Sequence, residues 1–121
     1  VNTKQIGGPS AGLMFALQIY EQISNLDLQH DRKIAGTGTI GPNGQIGEIG
    51  GIDKKVIAAK KAGAQIFLTP YVKPSAKLLR LEPGHLTNYQ LAYRTARRYA
   101  PGMKVIPVKN FGEAIRILKN K

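Results

Sequence analysis

Apolar residues crowd the stretch after Pro9, at Leu13, Met14, Phe15, Ala16, Leu17, Ile19, Tyr20 and Ile23, and this spacing predicts a helix over residues 10–25 that is buried on most sides. Residues 33–40, KIAGTGTI, then read as a strand. Pro42-Asn43-Gly44 reads as a turn and QIGEIG, with its alternating isoleucines, as a returning strand, so the middle of the chain predicts a hairpin. IDKKVIAAKKAG has the helical period and a stop at Gly63. QIFLT is a short buried strand ended by Pro70, residues 74–81 and 86–99 read as helices, KVIPV as a strand and FGEAIRILKN as a closing helix. Such alternation predicts one α/β (α+β layered) domain over residues 1–121, without repeats or an internal linker.

Charge changes that picture more than length does. The formal net charge is +11. Residues 1–60 hold six Lys/Arg against five Asp/Glu, whereas residues 61–121 hold twelve against two, so the second half carries nearly all of the excess. A basic surface favours anionic partners, by long-range attraction and counterion release. Arg94, Arg97 and Arg98 share a predicted helix with Tyr89, Tyr93 and Tyr99. That spacing describes a solvated helix face beside packed tyrosines as well as it describes a nucleic-acid surface, so no specific nucleic acid is expected. The chain has no cysteine, which excludes disulfides and Cys-ligated zinc. No apolar stretch reaches the length of a membrane span, and the opening valine, with no signal peptide, reads as an interior point of a longer polypeptide.

The glycine-rich middle also invites a cofactor reading. Gly36, Gly38 and Gly41 match G-x-G-x-x-G, but that fingerprint must open a helix to meet a pyrophosphate, and here it runs into the Pro42-Asn43-Gly44 turn. His30 and His85 lack ligand-spaced neighbours. Neither a cofactor nor a metal is therefore expected.

Candidate chemistry concentrates at GGPSAG, which sets Ser10 at the mouth of the first helix. Ser10 can cap that helix, with Pro9 in the opening turn. It can also be a nucleophile, given a base. Gly8-Pro9-Ser10-Ala11-Gly12 fits G-x-S-x-G, and Asp53 then His85 follow in the order of a Ser-His-Asp hydrolase, although the glycines and proline interrupt the strand that such an elbow needs. The helix from Ile52 offers a different base. At about 100° per residue, Val56, Ala59 and Gly63 fall near Ile52, Lys54 and Lys61 point away, and Lys55 lies about 60° from the apolar stripe. A lysine in apolar surroundings disfavours its ammonium form and can accept a proton, whereas a snorkelling lysine keeps its charge in water. Periodicity leaves both open.

GGPSAG before an apolar helix, followed by GTGTIGPNGQIGEIGGIDKKVIAAKKAGAQIFLTP, resembles the proteolytic domain of the Lon family, serine peptidases with a Ser-Lys dyad. The resemblance is close over residues 5–70 and follows element order beyond them. It implies the Lon proteolytic-domain fold, ribosomal protein S5 domain 2-like, of which this chain would be the C-terminal part. It further implies Ser10 as nucleophile in P-S-A-G, Lys55 as base in Gly50-Gly51-Ile52-Asp53-Lys54-Lys55, and Thr37 of the T-G motif as acceptor for the lysine amine. Gly7, Gly8 and Ala11 would supply backbone to the oxyanion and to an extended substrate. Two departures stand out: Thr39 where many Lon proteases have an acidic residue, and Gly7-Gly8 where they have an aspartate before the serine motif.

The wording IGGPSAGLMFALQIY and IAGTGTIGPNGQIGEIGGIDKKV is most similar to the ATP-independent, membrane-anchored bacterial subgroup, in which a PDZ-like domain and an anchor accompany the Lon-like domain. This implies ATP-independent endopeptidase activity on peptide or protein substrates at the extracytoplasmic face of the cell membrane. The basic second half, independently of the resemblance, makes an anionic membrane or cell-wall surface a further expected partner, beside a homo-oligomer. A non-enzymatic basic module is the contrasting class.

Overall fold

The computed structural model describes residues 8–73, 84 and 86–120 of the chain. A single 3-10 turn, Gly8–Ala11, leads into helix α1, Gly12–Ser24. Strands β1 (Ile34–Gly36), β2 (Thr39–Ile40) and β3 (Ile46–Gly47) follow, then helix α2 (Ile52–Lys61), strand β4 (Ile66–Pro70), helix α3 (Asn88–Tyr99), strand β5 (Lys104–Val108) and helix α4 (Phe111–Asn120). The strands β1, β4 and β5 form a parallel sheet in the order β1-β4-β5, while β2 and β3 form a separate antiparallel hairpin. The predicted helix over 74–81 lies outside the described residues.

Alternation along β4 builds the layers. Ile66 and Leu68 face one side, where they pack with Leu13 and Leu17 of α1, Ile106 and Val108 of β5, and Ala114, Ile115 and Leu118 of α4. Phe67, between them, faces the other side and packs with Ile52, Val56 and Ala59 of α2 and Ala92 and Ala96 of α3. Helices thus cover both faces of a short parallel sheet whose central strand is buried at every position. Since α2 runs back antiparallel to the strands between β1 and β4, its first turn lies toward the carboxyl edge of the sheet.

Local chemistry accounts for the helix ends. Gly63, at φ +86, closes α2 in the left-handed region, with Ala64 N–H donating to Ala59 O and Gly63 N–H to Lys60 O, a Schellman arrangement. Thr87 caps α3: its hydroxyl accepts the Gln90 N–H and the Gln90 side chain accepts the Thr87 N–H.

Two expectations are corrected. The single strand over 33–40 is two strands in two sheets, because Gly38 leaves the extended path at φ +146, donates its N–H to Ser10 O and accepts the Leu13 N–H from the start of α1. A Cβ there would stand 2.7 Å from Ile46 Cγ2 and 3.2 Å from Pro70 Cγ, so glycine is required both by conformation and by space. Helix α1 is buried along one flank instead of on most sides. Only Leu13 and Leu17 are fully buried, and Ile23 is 79% exposed, because the sheet meets one side of the helix.

Candidate active site

Ser10 sits in the 3-10 turn ahead of α1 and is half-buried. It does not cap the helix, since the N-cap position belongs to Ala11, which makes no side-chain cap bond. What holds the turn is its carbonyl. Ser10 O accepts the Gly38 N–H at 3.0 Å and the Thr37 hydroxyl at 2.9 Å, and Leu13 N–H returns to Gly38 O at 3.0 Å. The close approach is possible because Gly12 faces Gly38 and the start of β2: a Cβ on Gly12 would meet Ile40 N at 3.1 Å and Gly38 O at 3.5 Å. Three hydrogen bonds therefore seat the serine turn against the end of β1, where Thr37 N–H still bonds Leu68 O at 3.1 Å in the sheet ladder.

Thr37 is 2% exposed. Its hydroxyl proton is directed to Ser10 O, and an oxygen that donates one proton keeps lone pairs with which to accept. The threonine thus acts on the serine backbone, a contact that the T-G motif did not disclose.

Lys55 occupies the first turn of α2, where its N–H makes a 3.2 Å bond to Gly51 O. Gly51 takes the N-cap position at φ +70, a left-handed conformation, and Asp53 places a carboxylate near the positive end of the helix dipole. The helical wheel set Lys55 beside the apolar stripe. In the fold, Ile52, Val56 and Ala59 enter the core and Lys55 is exposed, as are Lys54, Lys60 and Lys61. Of the two readings that periodicity left open, the fold shows the lysine that reaches water: the stripe is narrow, and a residue about 60° from its centre is exposed.

Gly8 and Ala11 belong to the serine turn. Gly7 and His85 lie outside the described residues, and with His85 the Ser-His-Asp arrangement. His30 lies exposed in a loop at φ +51. Among the described residues no group of three or more His, Cys, Asp or Glu could hold a metal ion.

Two residues that motif reading passed over hold the loop before α2. The Asn88 side chain accepts the Ile49 N–H at 2.8 Å and donates to Ile49 O at 3.0 Å, while the Glu48 carboxylate accepts the Asn88 N–H. Asn88 is 8% exposed. Thr87 and Gln90 mark in sequence where this helix begins, but no motif marks Asn88 as the residue that holds Ile49.

The fold and the Ser10 turn define an α/β domain that presents a serine at the carboxyl edge of a parallel sheet. A family model for the Lon protease (S16) C-terminal proteolytic domain matches residues 4–83, and the chain belongs to that family, a family of serine peptidases. Lon protease 2 of Bacillus subtilis (strain 168) is 32% identical over 110 residues, which cover 91% of this chain and 16% of that protein. The Lon protease of Rhizobium meliloti (strain 1021) is 31% identical over 108 residues, 89% of this chain and 11% of the relative. That of Campylobacter concisus (strain 13826) is 43% identical over 63 residues, 52% of this chain and 8% of the relative. The chain thus spans only a small part of the length of these proteins.

Proposed function

We propose that this domain is a serine endopeptidase in which Ser10 is the nucleophile and Lys55 the general base. Support comes from the Ser10 carbonyl, held by two donors from Thr37-Gly38 in a chain of the Lon proteolytic family. Those bonds fix the backbone that carries the hydroxyl to the carboxyl edge of the sheet, toward which the first turn of α2 brings Lys55. The neutral amine of Lys55 takes the Ser10 proton as the oxygen attacks a peptide carbonyl. The lysinium then protonates the departing amine, and water hydrolyses the acyl-enzyme. Backbone N–H groups at Ser10 and Ala11, at the positive end of α1, stabilise the oxyanion, and the lack of side chains at Gly7 and Gly8 in the sequence suits the close approach of an extended substrate. Because Lys55 is exposed, the bound peptide is what excludes water from its amine.

The finer reading is an ATP-independent enzyme, anchored at the extracytoplasmic face of a bacterial membrane. It is supported by the wording of the serine and lysine motifs and by a basic surface suited to an anionic envelope. The test is cleavage of an unstructured peptide by the full-length protein, with and without nucleotide. Cleavage without nucleotide that disappears in Ser10→Ala and Lys55→Ala supports both readings. An absolute nucleotide requirement overturns the finer one, and undiminished cleavage by Ser10→Ala overturns the peptidase site.

A further inference from the structure

The two glycines of the lysine motif make a joint that holds nothing by itself. Gly50 and Gly51 are exposed, and a Cβ on either would meet no atom within 4 Å. Glycine pairs also have the widest backbone freedom of any dipeptide. Yet α2 must begin at a defined place, because its first backbone bond is that of Lys55 N–H to Gly51 O. Two fixed points flank the joint. On one side Ile52 is 1% exposed in the core shared with Phe67 and α3. On the other, Ile49 is gripped at both of its backbone groups by the side chain of Asn88.

The grip has the form of a strand pairing made by one side chain. An amide group presents one acceptor and one donor in a plane, and Asn88 sets both against the N–H and C=O of the same residue. Glu48 adds a second attachment, its carboxylate accepting the Asn88 N–H at the positive end of α3. Asn88 is nearly buried, so these bonds compete little with water, and leaving their partners unpaired is costly. Nothing in helix α3 itself requires asparagine at its first position, since the cap is already supplied by Thr87 and Gln90.

We propose that Asn88, assisted by Glu48, is a positioning residue for Lys55: by fixing Ile49 it sets where α2 starts and therefore where the lysine amine stands relative to Ser10. The catalytic half of this proposal rests on the Ser10–Lys55 reading. The structural half does not.

The experiment compares the full-length protein with Asn88→Ala, Asn88→Asp, Glu48→Gln and Lys55→Ala. It measures kcat and KM on an unstructured peptide, the pH profile of kcat, and hydrogen exchange over peptides spanning 48–56 and, as controls, β4 and α3. Asn88→Ala is expected to speed exchange over 48–56 while β4 keeps its protection. It should lower kcat about ten- to hundredfold with little change in KM, and displace the pH limb that reports the base. Asn88→Asp keeps the acceptor for Ile49 N–H and lacks the donor, so it should fall between, and it carries the test if Asn88→Ala does not fold. Unchanged exchange over 48–56 in both Asn88 variants overturns the latch. Faster exchange with unchanged kcat and pH profile, beside an inactive Lys55→Ala, overturns its role in positioning. An active Lys55→Ala overturns the dyad, and the catalytic half of the latch with it, while the exchange result still decides whether the joint is held.

Discussion

The Thr37 hydroxyl donates to the carbonyl of Ser10 across 27 residues of sequence, at 2.9 Å and in a nearly buried setting. The consequence is that a motif threonine supports the candidate nucleophile through its backbone. Thr37→Val keeps the shape of the side chain and deletes the donor, removing one of the hydrogen bonds to Ser10 O while the Gly38 N–H stays. Stability should fall by about 1 to 3 kcal/mol and peptide cleavage should fall with it. Thr37→Ser, which restores the donor, should recover most of both. Thermal melts beside cleavage rates decide the matter, and a Thr37→Val protein as active and as stable as the parent would remove the threonine from the site.

Lysine identity is the next test. Lys54 and Lys55 are adjacent and both exposed, so burial does not choose between them. The helix does, because neighbouring residues point about 100° apart. Lys55→Ala in the full-length protein should reduce kcat by about three orders of magnitude or more, as loss of a general base does. Lys54→Ala and His85→Ala should retain most activity. Loss of activity in His85→Ala with survival of Lys55→Ala would transfer the chemistry to a Ser-His-Asp arrangement with Asp53.

Much of the fold was legible because it is local. The closing helix over Phe111–Asn120, the strand over Lys104–Val108 and the Gly63 stop are set by short-range period and turn chemistry. The order of the serine, threonine and lysine motifs was legible only through the resemblance to the Lon family, which period and turn chemistry do not supply. The break in the strand at Thr37-Gly38 was not, because it is caused by a turn 27 residues earlier that takes the hydrogen bonds a continuous strand would use. The Glu48–Asn88 attachment spans 40 residues and has no periodic signature at all. Lys55 illustrates a third limit, since a wheel reports direction but not how far the neighbouring elements extend to cover a side chain.

Glycine substitutions should separate space from conformation. Gly38→Ala meets both obstacles, a φ of +146 and a contact of 2.7 Å to Ile46 Cγ2, and should cost about 2 to 4 kcal/mol or abolish folding. Gly51→Ala meets only the left-handed φ of +70, with open space around it, and should cost about 1 to 2 kcal/mol. Denaturant unfolding of the two variants tests the order, and a Gly51→Ala protein less stable than Gly38→Ala would reverse it.

The distribution of charge carries the last prediction. From composition, the basic second half stood apart from the near-neutral first half that holds Ser10 and Lys55. The fold joins them, because α2 and α3 pack side by side on one face of the sheet. Exposed Lys54, Lys60 and Lys61 of α2 therefore share a layer with exposed Arg94, Arg97 and Arg98 of α3, and Asn88–Tyr99 contains no acidic residue. Tyr93 and Tyr99 are 47% and 48% exposed, with Arg97 5.8 Å from the first ring centre and Arg98 5.4 Å from the second. Half-exposed tyrosines beside cations suit the headgroup region of an anionic bilayer, where each basic residue near the surface contributes on the order of 1 kcal/mol. The protein should sediment with vesicles containing anionic lipid and not with neutral ones, and binding should weaken steeply as salt rises. Arg94→Ala, Arg97→Ala and Arg98→Ala combined should lower vesicle binding at least tenfold. Sedimentation unaffected by the triple change would move the contact off α3, and tight, sequence-selective RNA binding at physiological salt would replace the lipid surface with a nucleic acid.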